Sequence, residues 1–157
     1  MPKEKLQKYR QKRDFGKTPE PSPTDKPKNG NVFVVQEHHA SHLHYDFRLE
    51  VDGVLKSWAV PKGPSLDPAD KRLAIPTEDH PLEYADFEGE IPAGEYGGGQ
   101  VYIWDRGTYK NLKKDDIMEC YKQGKIEIEL FGSKLKGNFV LMKMKGKEMW
   151  LLIKMKN

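Results

Sequence analysis

Between His44 and Leu49 the chain alternates without a break, with His44, Asp46 and Arg48 in one row and Tyr45, Phe47 and Leu49 in the other. A period of two belongs to a β-strand, whose successive side chains leave opposite faces; a helix would scatter both rows. Asp52-Gly53 follows, and then a second β-type run over 54–60. That dipeptide is a strong tight-hairpin signal, so the two runs are expected to pair antiparallel. Further short runs of the same character fall near 32–38, 72–76, 100–105, 125–131, 138–144 and 149–155. One helix is expected at 115–123, capped by Asp115 and stopped by Gly124. The fold class that follows is mostly β: a compact closed or nearly closed antiparallel β-barrel with one or two short helices. Closure would hide the edge strands and bring side chains from several strands to one mouth.

Ahead of the barrel, residues 3–15 read as a short basic helix with Leu6, Tyr9 and Arg13 on one face. That stripe is too thin to fold alone. Residues 16–30 hold four prolines and two glycines, a linker-like composition. The division expected is an arm over 1–30 and a barrel over 31–157.

With 157 residues the chain fits one domain with a genuine core. Hydrophobic residues at 36% and charged residues at 32% indicate a soluble, polar protein. No apolar run approaches the ~20 residues that span a bilayer, and the N-terminus lacks the hydrophobic segment of a secretory signal. The single cysteine, Cys120, excludes an intramolecular disulfide and suits a reducing cytoplasm. Charge is unevenly placed. Residues 1–28 carry nine Lys/Arg against four Asp/Glu, residues 29–124 ten against seventeen, and residues 125–157 eight against three. Basic flanks around an acidic middle suit a polyanion such as nucleic acid, although a solvated lysine-rich tail looks the same.

The polar row is where chemistry is expected. Same-face neighbours on a strand lie roughly 6.6 Å apart. Side chains so spaced can converge on one cation about 2.1 Å from each donor. Four of the five histidines fall between 38 and 44. Two imidazoles and a carboxylate make a divalent-metal site, with Arg48 beside it to grip an anion. The competing reading is an exposed strand with an ordinary Asp–Arg pair, and the concentration of histidines argues against it. His39, facing away from His38, and His42, in the turn, are bystanders.

His80, between Glu78-Asp79 and Pro81, belongs at a strand end where catalytic groups often stand, or on a bland surface loop. Lys62, in Pro-Lys-Gly-Pro, is a cation on a stiff backbone or simply exposed. Arg72 need not face the core, and Tyr84 and Asp86 fit packing and turn roles equally well. Trp58, Trp104 and Trp150 read as core or rim residues. Gly94-Glu-Tyr-Gly-Gly-Gly99 precedes a strand and reads as a turn.

Several blocks together resemble the 3′-phosphoesterase module of bacterial and archaeal DNA ligase D. They are Phe33-Val-Val-Gln-Glu-His38, Leu43-His-Tyr-Asp-Phe-Arg-Leu49, Gly53-Val-Leu-Lys-Ser-Trp-Ala-Val-Pro-Lys-Gly-Pro64, Glu78-Asp-His-Pro-Leu-Glu-Tyr-Ala-Asp-Phe-Glu-Gly89 and Trp104-Asp-Arg-Gly107. The resemblance covers roughly residues 9–155 and suggests a free-standing version of the module. It implies a small prokaryotic β-barrel enzyme, dependent on Mn²⁺ or another divalent metal such as Co²⁺ or Zn²⁺. Such an enzyme would trim a 3′-terminal ribonucleoside to a 3′-phosphate, then remove that phosphate to leave a 3′-OH. It implies His38, His44 and Asp46 as metal ligands, in agreement with the two imidazoles and one carboxylate read from the polar row and the histidine cluster. Arg48 and His80 would contact the scissile phosphate with Tyr84 nearby, and Lys62 and Arg72 would add positive charge. Arg13, Asp14 and Glu20 match an Arg-Asp-Phe…Glu-Pro element of an N-terminal arm folded over the site. His42 departs from an arginine in relatives and stays outside the ligand set. The partners implied are DNA primer–template or duplex 3′ ends with ribonucleotide or phosphate termini. A separate ligase, a polymerase and Ku-type end-joining proteins would act alongside a monomeric enzyme. Two other readings remain, a cupin-like metal oxygenase and a non-catalytic DNA-end-binding adaptor.

Overall fold

A computed structural model describes residues 6–23 and 30–156. Nine strands follow one another as β1 (Val32–His39), β2 (Leu43–Val51), β3 (Val54–Val60), β4 (Arg72–His80), β5 (Gly89–Ile91), β6 (Gly99–Asn111), β7 (Lys125–Phe131), β8 (Lys136–Lys143) and β9 (Trp150–Lys154). Their lateral order is β1-β2-β3-β4-β9-β8-β7-β6, and β6 returns to β1, so eight antiparallel strands close a barrel. β5 is an extra strand against the start of β6. Helix α1 (Gln7–Gln11) lies in the arm, α2 (Ile117–Gln123) links β6 to β7, and a 3-10 helix spans Leu82–Asp86. Among the described residues no helix is long and apolar enough to cross a membrane.

The β2–β3 hairpin turns as expected. Asp52 and Gly53 both have positive φ, 50° and 83°, as a two-residue I′ turn demands. The inward row of each strand fills the barrel with Phe33, Val35, Phe47, Leu49, Trp58, Ile126, Ile128, Leu130, Phe139 and Leu141, all essentially without solvent contact. Trp58 and Trp150 meet edge to face at 5.4 Å, and α2 closes over them through Tyr121 and the buried Cys120. The cap of α2 is Asp116, whose carboxylate accepts from the Glu119 amide at 2.9 Å. Asp115, expected in that role, instead accepts from Gln123 through its side chain.

A second apolar cluster lies on the outside of the barrel wall. Val34, Leu55 and Val101 of the strands pack there with Tyr84 and Ala85 of the 3-10 helix, and with Leu6 and Tyr9 of the arm. The thin stripe on α1 thus finds its partner on the barrel; the part of the expected helix before Leu6 lies outside the described residues. The arm and the 3-10 helix roof over one patch of outer wall. An interior packed with aromatic and aliphatic side chains leaves no space for a polar site. The polar row of β2 therefore faces outward beneath the roof, not into a barrel mouth as the strand pattern suggested.

Candidate metal centre and phosphate cleft

Antiparallel register sets His38 directly opposite His44, Gln36 opposite Asp46 and Val34 opposite Arg48. Ala59 and Ser57 of β3 lie on the far side of Asp46 and Arg48. The outward row of two neighbouring strands thus delivers two imidazoles, a carboxylate and a guanidinium to one patch. His38, Asp46 and Arg48 are each less than 9% exposed although their row faces away from the core. What covers them lies on the outer wall: the Tyr84 ring against Arg48, and the Gly97 loop against His38.

One ligand atom from each of His38, His44 and Asp46 falls within 4.8 Å of the others. Asp46 Oδ2 is 3.5 Å from His38 Nδ1, and Asp46 Oδ1 is 3.3 Å from His44 Nε2. The opposite nitrogens are engaged by backbone carbonyls. His38 Nε2 donates to Gly97 O at 2.7 Å, and His44 Nδ1 donates to His42 O at 3.1 Å. Each hydrogen bond aims the other ring nitrogen at Asp46, where it donates to the carboxylate when protonated and offers a lone pair to a metal when neutral, the arrangement of histidines that hold a metal. The donor set fits a divalent cation with open positions for water or substrate. Burial works against ionisation of Asp46, but Arg48 and the hydrogen bonds from His38 and His44 outweigh it, holding the carboxyl well below the usual range. The hydrogen bond with Asp46 in turn raises the His44 imidazole.

Arg48 stands next to this cluster. Its Nη2 lies 3.5 Å from Asp46 Oδ2, its Nε donates to Gln36 Oε1 at 2.7 Å, and its guanidinium lies over the Tyr84 ring. The Gln36 amide donates to the Tyr84 and Phe87 carbonyls at 2.7 and 3.1 Å, tying the guanidinium to the 3-10 helix. His80 is buried, with Nδ1 2.9 Å from Glu78 O and Nε2 3.4 Å from Arg13 Nη2. Nδ1 also lies 3.2 Å from Arg48 Nη1, so each ring nitrogen faces a guanidinium, and the Glu78 carbonyl gives Nδ1 an acceptor for a proton. Burial, then Arg48 and Arg13, push the His80 pKa well below that of free histidine. The cleft therefore holds a neutral imidazole between two cations.

The arm supplies the remaining wall. Arg13 bridges Glu20 Oε2 at 2.9 Å and Glu78 Oε2 at 3.2 Å and lies 3.9 Å over the Tyr9 ring. Glu20 also accepts from Thr18 at 3.0 Å and from the Tyr84 hydroxyl at 2.7 Å. Tyr84 is thereby committed to Glu20 through its hydroxyl and to His80 through its ring, 4.6 Å away. Burial raises its phenol well above the usual value. Asp14, by contrast, is 59% exposed and caps the turn that follows it by accepting from the Gly16 amide.

These groups line a cleft of about 230 Å³ that takes in Arg13, Glu20, His38, His44, Asp46, Arg48, His80 and Tyr84. At ~30 Å³ per water molecule this is room for roughly seven waters, or for a hydrated ion and a phosphate group. Lys62 and Arg72 line a different cleft, with Pro61, Ala69, Lys71 and Leu73, and Arg72 pairs there with Asp70 at 3.6 Å. His39 is partnered by Glu37, and His42 contributes only its carbonyl to the site. Gln36, Glu78 and the Gly97 carbonyl escaped the sequence reading. Gln36 shares the outward row of β1 with His38, so the same alternation reaches it. No residue type advertises a backbone carbonyl.

The model of the DNA ligase D 3′-phosphoesterase domain family matches residues 36–143, from Gln36 through every barrel residue of the cleft. The chain belongs to this family. Among curated relatives, the multifunctional non-homologous end joining protein LigD of Pseudomonas aeruginosa is 53% identical over all of the chain. The corresponding DNA repair protein LigD of Mycobacterium tuberculosis is 52% identical over 98% of it, and LigD of Mycolicibacterium smegmatis 50% over 98%. The chain spans about a fifth of the length of these relatives. The alignments with them, unlike the family match, take in the arm.

Proposed function

We propose that the chain is a metal-dependent DNA 3′-end-healing phosphoesterase, acting as hydrolase on both phosphodiesters and phosphomonoesters. It removes a 3′-terminal ribonucleoside and then the 3′-phosphate, leaving a 3′-OH for ligation in non-homologous end joining. The observation that carries this reading is the open donor set His38–His44–Asp46 with the Arg48 guanidinium 3.5 Å from the same carboxylate. A bound divalent cation, with Mn²⁺ the first candidate, would neutralise phosphate oxygens and stabilise the charge that builds up on them. His38 Nδ1, His44 Nε2 and Asp46 would hold it. Arg48, braced by Gln36, presents a preformed fork to a phosphate. His80 stays neutral while the cleft is empty. A phosphate dianion arriving between Arg13 and Arg48 offsets their charge and favours a proton on Nε2. That proton is then placed to hydrogen-bond the phosphate or pass to the leaving oxygen.

Residues 1–30 serve in this reading as the arm and 31–157 as the phosphoesterase barrel, with Glu20 locking the arm and Asp14 shaping its turn. Lys62 and Arg72 extend positive charge toward the nucleic acid from their separate cleft. The substrates are primer–template or duplex 3′ ends. A ligase, a polymerase and Ku-type proteins are the partners, and the working form is a monomer. The test is a primer–template with one 3′-terminal ribonucleotide, incubated with and without Mn²⁺ and resolved on a denaturing gel. Conversion to a 3′-phosphate and then a 3′-OH end, only with metal and lost in His44→Ala, is expected. A His44→Ala protein that keeps its rate would overturn the metal assignment.

A further inference from the structure

Seven large apolar side chains among the described residues are substantially exposed: Leu43, Leu66, Tyr96, Tyr102, Leu112, Phe131 and Met149. Scattered singly, such residues need no explanation. Tyr96 differs because it alone of the seven lines the metal-and-phosphate cleft. It is 48% exposed and sits in the loop between β5 and β6. That loop is stiffened by two backbone turns, Glu95 N to Pro92 O and Gly98 N to Glu95 O. The next residue, Gly97, has φ +76° and supplies the carbonyl that orients His38. The tyrosine ring is therefore held in register with a metal ligand by one peptide unit. Its hydroxyl lies 3.3 Å from Lys12 Nζ, and the Arg13 guanidinium sits 5.3 Å from its ring centre. Lys12 Nζ also stands 4.7 Å from the ring centre, so two cations of the arm lie over the ring while the exposed remainder of the side chain borders the cleft.

A half-exposed aromatic ring fixed at the rim of a site for a phosphate matches the layout of a nucleotide, whose base lies a sugar away from its phosphate. Base–aromatic stacking tolerates every base, which suits an enzyme that must accept any terminal sequence. We propose that Tyr96 is a positioning residue on which a nucleobase adjoining the bound phosphate stacks. The assignment rests on the function proposed above and adds a contact to the nucleoside where the cleft's other groups address phosphate and metal.

The experiment uses the full chain and a fluorescently labelled primer–template carrying a 3′-terminal ribonucleotide. Wild type, Tyr96→Ala and Tyr96→Phe are compared by fluorescence anisotropy and by the split of KM from kcat. Two further substrates lack the base at the terminal or the penultimate nucleotide. Loss of one stack predicts that Tyr96→Ala weakens binding and raises KM about tenfold, and that Tyr96→Phe recovers most of that loss. On one of the two abasic substrates wild type should itself be about tenfold weaker, with Tyr96→Ala costing nothing more. An equal penalty for Tyr96→Ala on all three substrates overturns the stacking role. So does a Tyr96→Phe protein as weak as Tyr96→Ala, since the Lys12 contact to the hydroxyl would then be what matters. A wild-type protein that neither binds nor processes the intact duplex fails the phosphoesterase reading, and the stacking role with it. An active wild type with an unaffected Tyr96→Ala fails the stacking role alone.

Discussion

The side chain with most at stake at neutral pH is His80, a neutral imidazole held between Arg13 of the arm and Arg48 of β2, with Glu78 O accepting from it and Tyr84 against its ring. Its folded pKa lies well below the ~6.5 of an unfolded histidine, so below that value the unfolded chain binds a proton that the folded chain refuses. Stability from this group is complete above about pH 6.5 and is lost as the pH falls toward the folded pKa. The His44 shift has the opposite sign, so the wild-type curve alone mixes the two. The comparison that isolates His80 is wild type against His80→Gln in urea unfolding from pH 8 to 5. Wild type should lose stability relative to the variant on acidification, with a slope of at most ~1.4 kcal/mol per pH unit. A difference that stays constant over that range would mean His80 is not held neutral. At this scale the site was legible wherever a pattern of residue types carried it. Period-two alternation found His44, Asp46 and Arg48, because a strand sends every second side chain to the same face. It could equally have found Gln36, which shares a row with His38. The commitment of Tyr84 to Glu20 could not be read that way, since it joins residues 64 positions apart.

Elements were legible where turn chemistry marked their ends. Asp52-Gly53 and Gly124 both stand where their backbone needs a positive φ. β4 was read too short because Pro76 lacks an N–H and usually ends a strand. Here β9 pairs only with Arg72, Leu73 and Ala74, so at Pro76 no neighbour on that side asks for the missing donor. The strand runs on to Thr77, Glu78 and His80 over the site. β6 is also longer than its apolar run, because residues 100–108 pair with β1 while its other edge takes β5 at 99–101 and β7 at 108–111. The arm is the element whose order is least expected from composition, with prolines and glycines where a linker would have them. One carboxylate, Glu20, ties Arg13, Thr18 and Tyr84 together. Glu20→Ala leaves a buried guanidinium without one of its partners and a buried phenol without its acceptor, a loss of about 1–3 kcal/mol for each group left unpaired. The expected outcome is faster cleavage within residues 6–23 by limited proteolysis, with barrel fragments intact and turnover reduced. An arm as protected as in wild type would show that apolar contacts of Leu6 and Tyr9 suffice to dock it.

For the whole molecule, the decisive feature is that the barrel's inside and outside carry different duties. The inside is apolar and closed, whereas the site occupies the outer wall of β1 and β2 beneath the arm. β8 lies four strands from β2 in either direction around the barrel, the farthest a strand can be. Its Leu141 points inward and is fully buried. Leu141→Ala removes apolar packing and leaves a cavity, at a cost of roughly 3 kcal/mol. For a chain of this size that lowers the Tm by about 6–12 °C. A core that bore directly on the metal ligands would also loosen the cation. With the ligands held instead by β1–β2 register and by the carbonyls of Gly97 and His42, the two properties should separate. Titration calorimetry with Mn²⁺ well below the lowered Tm is expected to give the wild-type affinity within about twofold. A variant whose metal affinity fell in step with its stability would show that the interior, not the outer wall and its roof, sets the geometry of His38, His44 and Asp46.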